Sequence, residues 1–91
     1  MKIDSNAVVV VPTRNRATIA MNAIRSVLDQ QVDGVHVMVS DNSTSEPDRQ
    51  QLAAFCTQLS NPRLRYVRPP RSLAMTDHWQ WAIDDALASY D

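Results

Sequence analysis

The chain has 91 residues, a formal net charge of -1 and a hydrophobic fraction of 44%. That length gives one domain, or part of one, with a modest core, and the composition argues against disorder and the charge against a general nucleic-acid binder. The single glycine, Gly34, excludes the P-loop and the dinucleotide loop, since both need several glycines at a strand-to-helix turn.

Residues 1–6 read as a short flexible lead and residues 7–91 as the folded unit. Ala7 begins an apolar run, Val8-Val9-Val10-Val11. It lacks alternation, as a strand covered on both faces does, and Pro12 is expected to end it. Asn15 is placed to cap a helix. Ala17, Ala20, Met21, Ile24, Val27 and Leu28 then recur at helical spacing. A second strand is expected over residues 35–40, and Ser45-Glu46-Pro47-Asp48 reads as a helix start. Leu52, Phe55, Cys56 and Leu59 are the expected buried stripe of that helix. Leu64-Arg65-Tyr66-Val67 reads as a third strand. Met75, Trp79, Ala82, Ile83, Ala86 and Leu87 form the apolar face expected for a last helix.

Three β-α units predict an α/β fold: a three-layer, Rossmann-like parallel sheet in the order 3-2-1. In such sheets ligands bind beyond the carboxyl ends of the strands. The tips Pro12-Thr13-Arg14-Asn15-Arg16 and Ser40-Asp41-Asn42-Ser43 are therefore expected to face one crevice.

Other features receive plainer readings. Arg63, Arg65, Arg68 and Arg71 form a basic run, expected to be a solvated edge, with Arg65 and Arg68 able to reach an anion. His36 and His78 have no partner at metal-ligand spacing and read as structural. Asp84-Asp85 is expected on the solvent side of its helix, not as a metal pair. Trp81 falls off the apolar stripe and is a candidate for an interface. The lone Cys56 cannot form an internal disulfide. No apolar run reaches transmembrane length and no secretory pattern opens the chain, so a cytoplasmic setting, or the inner face of a membrane, is expected.

Pro12-Thr13-Arg14-Asn15-Arg16, Ser26-Val27-Leu28-Asp29-Gln30, Ser40-Asp41-Asn42-Ser43-Thr44 and Asn61-Pro62-Arg63-Leu64-Arg65-Tyr66-Val67 together resemble the family-2 inverting glycosyltransferases, which have the A-type nucleotide-sugar fold. The resemblance runs from Val8 to the end and implies the N-terminal, nucleotide-binding half of such a domain. It implies a nucleotide-diphosphate sugar donor, most often of the UDP type, whose sugar passes to an acceptor hydroxyl with inversion. The donor-binding residues it points to are Pro12, Thr13, Arg14, Asp41 and Asn42. The backbone at Pro12 and Thr13 would pass the nucleoside, and the Asp41 carboxylate would accept a hydrogen bond from uracil N–H.

The family's metal-binding Asp-x-Asp and its catalytic base lie after a further strand. The resemblance thus assigns no catalytic and no metal residue here. A divalent ion, Mg or Mn, is expected only in a complete enzyme, and the 91-residue chain alone is expected to be inactive. Two departures stand out. Ser40 replaces an acid. Ala74, Trp79-Gln80 and Ala82 stand where the family usually has Gly, Arg-Asn and Gly, residues that contact the diphosphate. The competing reading is a non-catalytic binding or assembly module that keeps the half-fold. Self-association through Val8, Val9, Val10 and Val11 is expected if that strand is left at an open edge. A receiver domain is excluded because no acid follows the first strand.

Overall fold

A computed structural model describes residues 3, 5–30 and 32–90. The elements run β1 (Ala7–Thr13), α1 (Ala17–Asp29), β2 (Val35–Asp41), α2 (Glu46–Leu59), β3 (Leu64–Val67) and α3 (Met75–Ser89). The strands form one parallel sheet in the order β1-β2-β3, the order expected. Val9 pairs with Val37, Thr13 with Asp41, and Val37 with Leu64.

Side chains alternate across β2, and the alternation builds two cores. Val37 and Val39 meet Ala17, Ala20 and Ile24 of α1 and Leu52 and Phe55 of α2. Met38, on the opposite face, meets Ala82 of α3 and Tyr90. The molecule is therefore three layers: α1 and α2, the sheet, and α3. The Arg25 guanidinium also lies 5.0 Å above the Phe55 ring, which closes the outer side of the first core.

The two faces have a topological cause. Right-handed crossovers that step in one direction put their helices on one face. From β1 to β2 to β3 the chain steps one way, and α1 and α2 share a face. After β3 it reverses, and α3 returns on the other face to pack under β1. The reversal makes β1 the switch point of the sheet, where α1 and α3 diverge.

Several local expectations are corrected. β1 does not stop at Pro12; it runs to Thr13. Ala7 N–H donates toward the β2 side, to Gly34 O, and Thr13 O accepts from Asn42 N–H on the same side. Alternation then turns the backbone groups of Val8, Val10 and Pro12 to the open edge, so the missing N–H of Pro12 costs no ladder bond. Asn15 is not the cap of α1. The cap position is Arg16, which makes no side-chain cap bond, and the Asp48 carboxylate of α2 accepts from Ala17 N–H instead, at 3.2 Å. Ser45 likewise precedes α2 without a side-chain cap bond. On α2, Leu52 and Phe55 are buried, Cys56 is half-buried and Leu59 is exposed.

The largest correction concerns α3. Met75, Trp79, Ile83 and Leu87 were expected inside, yet they are 65%, 52%, 48% and 66% exposed. His78 joins the expected Ala82 on the side that faces the sheet, and Trp81, off the expected stripe, packs on the second core. The apolar arc of α3 is wider than the sheet above it. With β1 at the sheet edge, nothing among the described residues lies over the outer half of that arc.

Arg65 and Asp85 are also only partly solvated. They form an ion pair at 2.9 Å, and Arg65 donates to Ser89 Oγ. Arg63 donates to the carbonyls of Leu28, Val32 and Val35, tying the turn before β2 to the start of β3. In that turn Gly34 has φ +77°, and a Cβ there would come within 2.5 Å of the Asn6 amide. The left-handed φ favours glycine, and a larger residue would also have to displace the Asn6 side chain. Of the expected lead, Met1, Lys2 and Asp4 lie outside the described residues. Ile3 N–H bonds Ser89 O, and Asn6 N–H bonds Gly34 O, so these two lead residues are tied to the body.

Candidate functional site

The tips of β1 and β2 are bound to each other by Asn15. Its φ of 55° is a left-handed conformation that asparagine tolerates better than most residues. That bend turns the amide onto the neighbouring tip. Asn15 Oδ1 accepts from the N–H groups of Thr44 and Ser45 at 2.9 and 2.8 Å. Asn15 Nδ2 donates to Thr44 Oγ1, and Asn15 N–H donates to Ser43 Oγ.

Asn42 does the same for the segment entering α3. Its Nδ2 donates to Leu73 O at 2.8 Å and its Oδ1 accepts from Leu73 N–H at 3.0 Å. The amide mimics a strand partner and pins the β3–α3 loop to the β2 tip. Arg14 reaches the same carbonyl at 3.4 Å.

Asp41 is turned away from this surface. It is fully buried, its Oδ2 accepts from Tyr66 O–H at 2.6 Å, and its Oδ1 accepts from Ser43 N–H at 3.0 Å. Residue 41 shares the face of Val37 and Val39, which points toward α1 and α2. Direct contact of this carboxylate with a base is not available in this arrangement. Its place is beneath the tip, where it sets the turn at Ser43. Burial, the Asp41 hydrogen bond and the Asp41 charge all push the Tyr66 hydroxyl well above the usual tyrosine range. Burial first, then the Asp41 charge, pushes the Cys56 thiol up to about 11.

Ser40, on the other face, meets His78. Ser40 Oγ and His78 Nε2 share a hydrogen bond of 2.8 Å, and both residues are buried. The serine that replaces the expected acid is thus the partner of a histidine on α3. Burial lowers the His78 pKa, and Arg14 pushes it the same way; the Asp41 charge and a hydrogen bond with the Ser40 backbone oppose this.

Beyond the end of β1, at the switch point, lies a cleft of about 350 Å³. Such crevices at the carboxyl ends of strands are where open α/β sheets bind ligands, and the volume suits a small ligand. Pro12, Thr13, Arg14 and Asn42 line it, so four of the five expected donor-binding residues come together there. Arg16 joins from the start of α1, and Trp79 and His78 from α3. Trp79 was assigned to the core by its spacing alone. Its role as an exposed wall of the cleft follows from the reversal of the chain after β3, which periodicity does not report.

Among the described residues, no three His, Cys, Asp or Glu side chains come together as a metal site. No described helix is long and apolar enough to cross a membrane.

Comparison with curated proteins and with solved structures finds no match. A family model does match. Residues 8–90, which take in all of the elements above except Ala7 at the start of β1, fit the model of glycosyl transferase family 2, and the chain belongs to that family.

Proposed function

We propose that the cleft at the end of β1 holds the nucleotide of a nucleotide-diphosphate sugar, of the UDP type, whose sugar a complete enzyme passes to an acceptor hydroxyl with inversion. The observation that carries this reading is that one exposed indole, Trp79, and two arginines, Arg14 and Arg16, line the same switch-point cleft. A flat aromatic surface stacks a base or a sugar ring. Arginine guanidinium groups match phosphate oxygens in two-pronged geometry. Thr13 and Asn42 complete the lining. Asp41 acts here from below, as a positioning residue.

Transfer also needs a divalent ion, Mg or Mn, at the leaving diphosphate and a base for the acceptor. The described residues provide no metal cluster. For this chain we propose binding of the donor; turnover is proposed for a complete enzyme.

The test is an NMR titration with uridine and with UDP. Shifts at Thr13, Arg14, Asn42 and the Trp79 indole N–H are expected. Trp79→Ala should weaken uridine and UDP alike, and Arg14→Gln should weaken only UDP. Shifts that avoid the end of β1 would overturn the assignment.

A second reading, a non-catalytic assembly module, is favoured by a different observation. The backbone edge of β1 and the exposed side chains Ile83 and Leu87 lie side by side around a shallow groove with Val8 and Val10. Self-association through this edge is the outcome that reading requires.

A further inference from the structure

On the other side of Asn42 lies a second cleft of about 380 Å³, between the β2 tip and the loop that leads to α3. Three arginines line it: Arg49 from the first turns of α2, and Arg68 and Arg71 from the loop. The chain as a whole carries 9 basic and 10 acidic residues, so three arginines around one hollow is a local excess. Glu46, paired with Arg49, offsets part of it. Neither Arg68 nor Arg71 has an ion-pair partner among the described residues.

Two details make this more than a solvated basic patch. Arg49 Nε is buried with no hydrogen-bond partner among the described residues. A buried N–H left unpaired costs free energy, and Arg49 itself lines the cleft. The loop is also held in place. Asn42 clamps it at Leu73, Arg68 reaches the Ser43 carbonyl at 3.5 Å, and Pro69-Pro70 restrict the backbone between Arg68 and Arg71. Arginines held before binding lose less freedom on binding. The hydroxyls of Thr44 and Ser72, also in the lining, add donors suited to oxyanions.

We propose that this cleft is an anion site for a phosphate group, separate from the Trp79 cleft. The shared chemistry is a phosphate oxyanion held by arginine forks and hydroxyls. It has two sources: the phosphates of a bound nucleotide, reaching over Asn42, or a phosphorylated acceptor. The proposal does not depend on the donor reading, because it rests on different residues.

The probe is inorganic phosphate, followed by NMR on the full chain at fixed ionic strength. Arginine Nε–H resonances are observed together with backbone amides. Saturable shifts are expected at Arg49 Nε–H and at the amides of Ser43, Thr44 and Ser72. Arg68→Gln/Arg71→Gln, at exposed positions, should weaken phosphate about tenfold or more, the factor expected for loss of a charge-assisted hydrogen bond. Uridine, which has no phosphate, should shift the Trp79 indole in that variant as in the parent chain. UDP that displaces phosphate identifies the nucleotide as the source; UDP that binds alongside it points to the acceptor. Non-saturating shifts spread over all arginines, or an unchanged response in the double variant, would overturn the site while leaving the Trp79 cleft untouched.

Discussion

Tyr66 O–H donates a 2.6 Å hydrogen bond to Asp41 Oδ2 beneath the tip of β2, joining two adjacent strands under the candidate site. The carboxylate is fully buried and its other oxygen holds the turn at Ser43. Tyr66→Phe keeps the ring and removes the donor. It should lower stability by about 1–3 kcal/mol, because a buried acceptor is left short of a partner. Urea denaturation measures this. Uridine affinity should change little, since the carboxylate does not face the cleft. Parent-like stability would mean that the bond contributes nothing net, and a large loss of uridine affinity in a well-folded Tyr66→Phe protein would return Asp41 to the binding surface.

Asn15 should matter for a reason other than helix capping. Asn15→Ala loses the amide bonds to Thr44 and Ser45 and places a less tolerant residue at φ 55°. These bonds are largely exposed, so the expected loss is about 1–2 kcal/mol. Asn15→Gly should recover only the conformational part. If the two variants are equally stable, the strain component is absent; if glycine matches the parent, the amide bonds carry no weight. Amide exchange at Thr44 and Ser45 reports the second point directly.

His78 makes the fold sensitive to mild acid. Its folded pKa is lowered, chiefly by burial, while in the unfolded chain it titrates near the ordinary value of about 6.5. Between those two values the unfolded state binds a proton that the folded state does not. The His78 contribution is therefore fully present above the unfolded value and is lost as pH falls through the folded one. Urea midpoints measured from neutral pH downward should decline through this window. His78→Gln should flatten the decline while keeping a polar partner for Ser40. An unchanged slope in that variant would assign the acid sensitivity to carboxylates instead.

The edge of β1 should recruit a second copy. Val8 and Val10 turn backbone groups outward, and Ile83 and Leu87 lie exposed beside them. Antiparallel pairing of two such edges across a two-fold axis satisfies the backbone and buries both apolar strips. Sedimentation at micromolar concentration should show a dimer or larger species. Ile83→Glu/Leu87→Glu, at already exposed positions, should shift it to monomer without loss of helicity. A parent chain that sediments as a monomer with rapidly exchanging Val8 and Val10 amides would rule the association out.

The order of elements was determined by the sequence alone, because strand and helix patterning are local and turn residues punctuate them. The parallel sheet in the order 3-2-1 followed from three β-α units and the handedness of crossovers, and the resemblance at the tips led to the family that residues 8–90 match. What the tertiary structure decided was which way side chains face when more than one face is available. Asp41 at a strand tip is equally a ligand contact or a buried acceptor until Tyr66 is placed next to it by strand register. Asn15 and Asn42 look like ordinary turn residues until the neighbouring tip comes within reach of their amides. Trp79 and Trp81 sit two residues apart on one helix, so periodicity cannot tell which is inside. That choice is made by the width of the sheet above α3: a three-stranded sheet ending at β1 covers the arc around His78 and Ala82 and leaves the arc of Met75, Trp79, Ile83 and Leu87 uncovered.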